Sequence, residues 1–335
     1  MVSFTKRIFM HRLAFSIART ALIAATFAIG PAMAQTYPAK PIKVIVPTAP
    51  GGGYDAIGRL VADNLAPELG QPLVVENRTG SGTVVGTQVA AQAPADGYTL
   101  LVGGLANMAF NPGLYDKLPY KATEFVPVAL VGTFSYTLVA RKDLPQSSLR
   151  EVIDFAKANP GKLTIATGGT GTGTGQHVAG ALFNNLAKVD ILEVPYKGAQ
   201  AVYTDLFGGR VDLFFDNTAT ARPFVDGGRA KPIMTSNSGR DPLMPQVPDG
   251  RDAGLPGLVL ESWIGLFAPA QTPQPVIEKL KAALAKVMQS PDVLKRLETS
   301  GIRPISMAPK DTESFVKAES DKWAQFLRNA GIKAE

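Results

Sequence analysis

Strand-like and helix-like runs alternate from residue 42 to about residue 235, and this alternation limits the possible folds more than any other feature. Residues 42–46 read as a strand. Residues 54–69 read as a helix, with Ile57, Leu60, Val61 and Leu65 on one face and Gly70 as its stop. A strand at 73–75, a helix opened by Gly80-Ser81-Gly82, a Pro94-Ala95-Asp96-Gly97 turn and a strand at 98–102 continue the series. Residues 126–140 are extended, apolar and long enough to carry the chain from one domain to another. The pattern then restarts. Ser148-Leu149-Arg150-Glu151 is a capping-box signature, and strands at 162–166, 191–194, 211–215 and 232–235 alternate with helices at 176–186 and 199–207. Strands separated by helices imply βαβ units and a mainly parallel sheet.

The chain turns back after a Pro/Gly/Asp-rich stretch at 239–257. Residues 262–267 read as a returning strand, followed by helices at 272–288, 290–297 and 311–329. Two crossings, near 135 and near 260, leave the first domain built from both chain ends. The expected architecture is therefore α/β and two-lobed, each lobe a mainly parallel sheet flanked by helices. Residues 35–135 with 260–335 form the first lobe and 136–259 the second, with a hinge and a cleft between them.

The first 34 residues read as a leader rather than as part of this fold. Lys6, Arg7, His11, Arg12 and Arg19 make a basic start, an apolar run follows at 20–30, and Ala32-Met33-Ala34 is a small-x-small cleavage site. The apolar run is short for a bilayer span. A cut after Ala34 would export the chain to the periplasm, with translation starting at Met1 or Met10. Four of the 34 basic residues lie in the leader and none of the 28 acids does, so the remaining chain carries 30 against 28. That near balance calls for neither nucleic acid nor an anionic membrane as partner. The chain has no cysteine, which removes thiolate catalysis, thiolate zinc and iron–sulfur clusters. His177 is the only histidine beyond the leader, so a multi-histidine metal site is excluded. A Ser-His-Asp triad stays formally open, but no Gly-x-Ser-x-Gly elbow exists. No metal, cofactor or catalytic residue is expected.

The candidate ligand contacts lie at strand ends. Val44-Ile45-Val46-Pro47-Thr48-Ala49-Pro50-Gly51-Gly52-Gly53-Tyr54-Asp55 reads as a strand, a glycine turn and a helix start, which together suit an anion. Thr48 and the amides of Gly51, Gly52 and Gly53 are the contacts, with Tyr54 beside them. Asp55 reads as a ligand contact or as a turn-fixing residue, and its place in the first helical turn favours the latter. Ala106 and Asn107 lie in a second strand-end loop of the same lobe, on the edge where ligands bind parallel sheets. In the other lobe Gly169, Thr170, Gly171, Thr172, Gly173 and Thr174 follow a strand and precede a helix, as an anion nest would. Neither a P-loop nor a dinucleotide fingerprint fits that loop. His177 either donates to the ligand or packs in place. Tyr196 and Asp216 follow the next two strands and are placed to line the cleft, whereas Lys197 reads as a solvated surface lysine.

These residues resemble the Bug-type periplasmic solute-binding proteins of tripartite tricarboxylate transporters. The likeness is carried by Tyr37-Pro38-Ala39-Lys40-Pro41-Ile42, Pro50-Gly51-Gly52-Gly53-Tyr54-Asp55 and Val75-Glu76-Asn77-Arg78-Thr79-Gly80-Ser81-Gly82. Asp96-Gly97-Tyr98-Thr99-Leu100-Leu101, Val194-Pro195-Tyr196-Lys197-Gly198, Gly208-Gly209-Arg210-Val211-Asp212 and Ala268-Pro269-Ala270-Gln271-Thr272-Pro273 complete it. The resemblance implies a Venus-flytrap receptor without catalysis, working as a monomer with membrane transporter subunits. It implies that one ligand carboxylate is gripped by the loops around 48–55 and 103–107, through main-chain donors and water rather than an arginine clamp. It further implies that the loop ending at His177 and the segments around Tyr196 and Asp216 close over the ligand. Thr79 and Ser81 stand where Pro and Ala are common, and Gly169 where Ser is common. Relatives take amino-acid dicarboxylates, tricarboxylates, aromatic carboxylates or neutral compounds. A receptor docking on a membrane signalling protein and an exported hydrolase using His177 are the other readings.

Overall fold

The computed structural model describes residues 37–167, 173–305, 307 and 309–334. The leader and residues Gly169, Thr170, Gly171 and Thr172 therefore lie outside the described residues. Lys40–Glu335 packs as one compact unit.

Its first series runs β1 (Ile42–Val46), α1 (Gly53–Leu69), β2 (Leu73–Asn77), α2 (Val84–Ala91) and β3 (Thr99–Gly104). A π-helical turn (Leu105–Phe110) leads into the short α3 (Asn111–Leu114). Then come β4 (Phe125–Arg141), α4 (Leu149–Ala158), β5 (Thr164–Thr167), α5 (Gly175–Ala187), β6 (Leu192–Pro195) and α6 (Ala199–Phe207). The chain finishes with β7 (Leu213–Asn217), α7 (Thr218–Asp226), β8 (Ala230–Thr235), β9 (Glu261–Pro269), α8 (Gln274–Val287), α9 (Pro291–Thr299), β10 (Arg303–Pro304) and α10 (Pro309–Asn329).

Local chemistry accounts for these elements. In β1 every residue but Lys43 is buried, as befits a strand covered on both faces. Gly70 ends α1 with φ 70°, and its N–H donates to the Ala66 carbonyl. Ser148 caps α4 by accepting from the Glu151 N–H at 3.3 Å.

Among the described residues the strands form one mixed sheet in the order β2-β1-β3-β9-β4-β7-β5-β6, with β8 and β10 also pairing with β4. The triplets β2-β1-β3 and β7-β5-β6 are parallel throughout, as the alternation requires. The middle is not: β9 runs antiparallel to β3 and β4, and β4 antiparallel to β7 and β8. The expected mainly parallel sheets thus hold for the outer triplets, while the strands that join them are antiparallel. A strand that carries the chain away and one that brings it back must run in opposite senses. β4 pairs with β9 from Phe125 to Ser135, then with β7 from Tyr136 to Ala140. The partner change falls between Ser135 and Tyr136, in the middle of one continuous strand.

Two apolar groups flank this sheet. Val139, Ala166, Val202, Tyr203, Leu206, Val211 and Phe214 form one cluster around β7. Beyond the end of β3, α10 covers the π turn, where Trp323 meets Phe110 edge-on at 5.1 Å between ring centres. The C-terminal ends of β1, β3, β5, β6 and β7 face one gap, and the site lies there.

Candidate functional site

A cavity of about 350 Å³ opens between these strand ends, near the lower end of the ~300–1,000 Å³ usual for small-molecule sites. Its wall takes residues from both sheet halves and from the strands that join them. Thr48, Gly51, Gly52, Gly53, Tyr54 and Ala106 line it from the first half, and Thr174 and Asp216 from the second.

The 48–53 loop is braced from behind. Asp55 is buried, and its Oδ2 accepts the Gly51 N–H at 2.9 Å and Arg59 Nε at 3.1 Å. Its Oδ1 accepts Asn77 Nδ2 at 2.9 Å and lies 3.0 Å from Arg59 Nη2, while Asn77 Nδ2 also reaches the Thr48 carbonyl at 3.0 Å. Burial works to raise the Asp55 pKa, but donation from Arg59, Gly51 and Asn77 outweighs it and holds the group below its usual value. Asp55 is absent from the cavity wall. It consumes the Gly51 amide and leaves those of Gly53 and Tyr54, in the uncapped first turn of α1, for a ligand. Thr48 adds a buried hydroxyl without a protein partner among the described residues.

A buried polar network sets the π turn. Asn107 is fully buried; its Oδ1 accepts the Gly104 N–H at 2.8 Å and its Nδ2 donates to Thr87 Oγ1 at 3.0 Å. Tyr120 donates its hydroxyl to the Asn107 carbonyl at 2.7 Å, and Asn111 Nδ2 donates to Thr83 Oγ1 at 3.0 Å. Asn107 therefore shapes the turn from outside the cavity. The Ala106 N–H is also engaged, donating to the Tyr54 hydroxyl at 3.2 Å. Burial drives the Tyr54 pKa far upward, so that hydroxyl keeps a proton to donate.

On the other side, Gly173 has φ 89° and donates its N–H to His177 Nδ1 at 3.2 Å, while His177 Nε2 lies 3.7 Å from Glu193 Oε2. The imidazole steadies the end of the loop and is absent from the cavity wall. Gly173 also lies outside the wall. A Cβ there would stand 3.1 Å from Asn111 Oδ1 across the gap. Thr174, which is in the wall, accepts the His177 N–H at 3.5 Å as the helix cap.

Neighbouring residues after β6 exchange the roles expected of them. Tyr196 turns from the cavity and donates its hydroxyl to Asp205 Oδ2 at 2.9 Å, whereas Lys197 lines the wall. Asp216 is 2% exposed; its Oδ2 accepts the Tyr203 hydroxyl at 2.9 Å and its Oδ1 the Asn217 N–H at 2.8 Å. Burial pushes its pKa up to about 7 against the opposing donation from Tyr203, Asn217 and Gln176. Among the described wall residues, Lys197 is the one cation and Asp216 the one carboxyl. Sequence reading missed Phe134 and Tyr136 on β4, Ser262 on β9, and Thr83, Phe110, Gln176, Gln200, Asn217 and Thr220.

Such a wall can hold a small anion: it offers helix-end amides from one sheet half, an ammonium from the other, and aromatic rings from the strand that joins them. Lys197→Ala should weaken binding of an anionic ligand about tenfold, as loss of a hydrogen bond to a charged group does. Tyr196→Phe should leave it within about twofold. Calorimetric titration of both variants checks the pair, and equal losses would contradict the wall described here.

Known proteins resemble this chain in sequence and in fold. A family model described as the tripartite tricarboxylate transporter family receptor matches residues 57–332. Protein BugT of Bordetella pertussis (strain Tohama I) is 35% identical over 305 residues, covering 90% of this chain and 93% of BugT. The solved structure of the periplasmic binding protein BugD is similar with a TM-score of 0.80 at 31% identity, covering 89% of this chain and 100% of its own. MatC from Rhodopseudomonas palustris, with bound malate, gives 0.79 at 35% identity, covering 86% and 99%. R. palustris Rpa4515 with adipate gives 0.81 at 31% identity, covering 89% and 99%.

Proposed function

This chain belongs to the tripartite tricarboxylate transporter receptor family, and we propose that it captures a small organic carboxylate outside the cytoplasm for a secondary transporter of that type. The family and its solved neighbours are solute-binding receptors with the bilobed periplasmic-binding-protein fold, not enzymes. The observation that carries the proposal is the wall itself. First-turn amides of α1 and the Lys197 ammonium flank one cavity, with Phe110, Phe134 and Tyr136 available for a short carbon chain. The malate in MatC and the adipate in Rpa4515 favour dicarboxylates of four to six carbons as the first acids to test.

Several further parts belong to the same proposal. The leader is cut after Ala34, and the receptor works in the periplasm as a monomer that delivers ligand to membrane subunits. Its two lobes divide near residues 135 and 260 and close on the ligand. Strand pairing supports the division, because β9 and β10 return to the half that holds β1, β2 and β3.

A thermal-shift panel on ligand-stripped protein tests the reading, using mono-, di- and tricarboxylates with nicotinamide as a neutral control. A true ligand at a hundredfold excess over Kd adds about 2.7 kcal/mol, which raises Tm by about 5 °C. A panel without any rise would overturn the carboxylate assignment.

A further inference from the structure

The only carboxyl among the described wall residues lines the same cavity as the first-turn amides of α1. Asp216 is the last residue but one of β7, and the Nδ2 of Asn217, which ends the strand, lies 3.6 Å from where a Cβ on Gly53 would stand. The end of β7 therefore approaches the α1 amides across the gap. An acid seated on those amides shares one cavity of about 350 Å³ with Asp216, which is 2% exposed. Two carboxylates so placed do not both ionise without a large penalty.

The groups that face Asp216 leave that penalty largely uncompensated. Tyr203 of α6 donates to it, Gln176 of α5 and the Asn217 N–H do likewise, and Tyr136 of β4 lies close by. Burial drives both tyrosines upward, so they stay neutral and act only as dipoles. Lys197, before α6, offers one positive charge to the cavity, enough for one carboxylate but not for two. His177 on α5 is turned to Gly173 and Glu193.

We propose that the cleft takes up its organic acid together with one proton, and that Asp216 is the group that holds this proton while the acid is bound. The proposal rests on the reading of the cleft as a carboxylate site. The proton comes from solvent, sits on an Asp216 oxygen, and returns to solvent when the ligand leaves; no other bond is made or broken. Burial already pushes Asp216 up to about 7, so near neutrality the group is poised, and an anion in the same cavity drives it further toward the protonated form. Asp216 thereby sets how much negative charge the site accepts at a given pH.

Calorimetric titration of succinate, glutarate and adipate into wild type and Asp216→Asn, from about pH 6.5 to about pH 8.5 in two buffers of different ionisation enthalpy, tests this; the acids themselves stay ionised across that range. Wild type should bind with net proton uptake, and its affinity should fall toward about tenfold per pH unit above about pH 7. Asp216→Asn, which mimics the protonated acid, should bind with a flat pH profile and take up no proton. Binding without proton uptake, or an equal slope in the variant, overturns the proposal and leaves the carboxylate reading intact. No binding at any pH of these three acids or of any mono- or tricarboxylate of the thermal-shift panel overturns both. Should the variant fail to fold, infrared difference spectra of the wild type at about pH 8 decide instead. A protonated-carboxyl stretch that grows on adding ligand supports the assignment, and its absence ends it.

Discussion

Replacing Asp55 by alanine is expected to cost about 2–3 kcal/mol of stability and at least tenfold in ligand affinity. One buried carboxylate holds the Gly51 N–H, Asn77 Nδ2 and Arg59 Nε at 3.1 Å or less. Removing it strands the Gly51 amide and the Asn77 side chain, which in turn ties the Thr48 carbonyl. The cost stays below that of breaking a fully buried ion pair because Arg59 is half exposed and water can take its guanidinium. Affinity suffers because Gly52, Gly53 and Tyr54 would no longer be held at one position. The stability deficit should depend on pH. Asp55 is held below its ordinary value of 3.8, so its contribution is present above about pH 4 and is lost as pH falls through the lower folded value. Urea unfolding of wild type and Asp55→Ala should therefore differ at neutral pH and converge in acid. Affinity within twofold of wild type would contradict the bracing role.

Gly175→Ala is expected to lower ligand affinity about a hundredfold or to destabilise the protein by about 3 kcal/mol, depending on which part yields. A Cβ at Gly175 would stand 1.8 Å from Tyr136 Oη and 2.4 Å from its Cζ. Tyr136 is 3% exposed, packs edge-on against Phe134 at 5.7 Å and hydrogen-bonds Ser262, so the ring has no room to swing aside. Helix α5 must retreat instead, and it takes Thr174 and Gln176 out of the wall. The double variant Tyr136→Phe with Gly175→Ala removes the atom in closest conflict and should recover part of the loss. Calorimetry with urea unfolding on the single and double variants checks this, and full binding together with unchanged stability in Gly175→Ala would refute it.

The strand ends were legible because hydrophobic runs that stop at Gly or Pro leave a clear mark, as at Val46 and at Thr167. Helix α7 was missed. Its sequence is polar and carries Pro223, yet Asn217 gave a usable sign, for its side chain caps the helix by accepting the Ala219 N–H at 3.0 Å. The π turn at 105–110 leaves no periodic signature; the network of Asn107, Thr87, Asn111 and Tyr120 sets it, from residues far apart in sequence. Lys197 and Tyr196 differ by one position in a loop, and tertiary packing alone decides which of them faces the cavity. Phe134, Tyr136 and Ser262 looked like strand interior. They reach the wall because the cavity sits over the middle of the sheet as well as at its edge.

The strand order also governs the sequence of events during synthesis. β3 and β4 never touch as partners in the sheet; β9 lies between them and bonds to both. Until β9 has been made, the edge of β3 and the first part of β4 lack this partner, and every helix from α4 to α7 is made in the interval. Open edges invite pairing with other chains. The late arrival of one strand thus leaves the two halves of the sheet unjoined until most of the chain has been made.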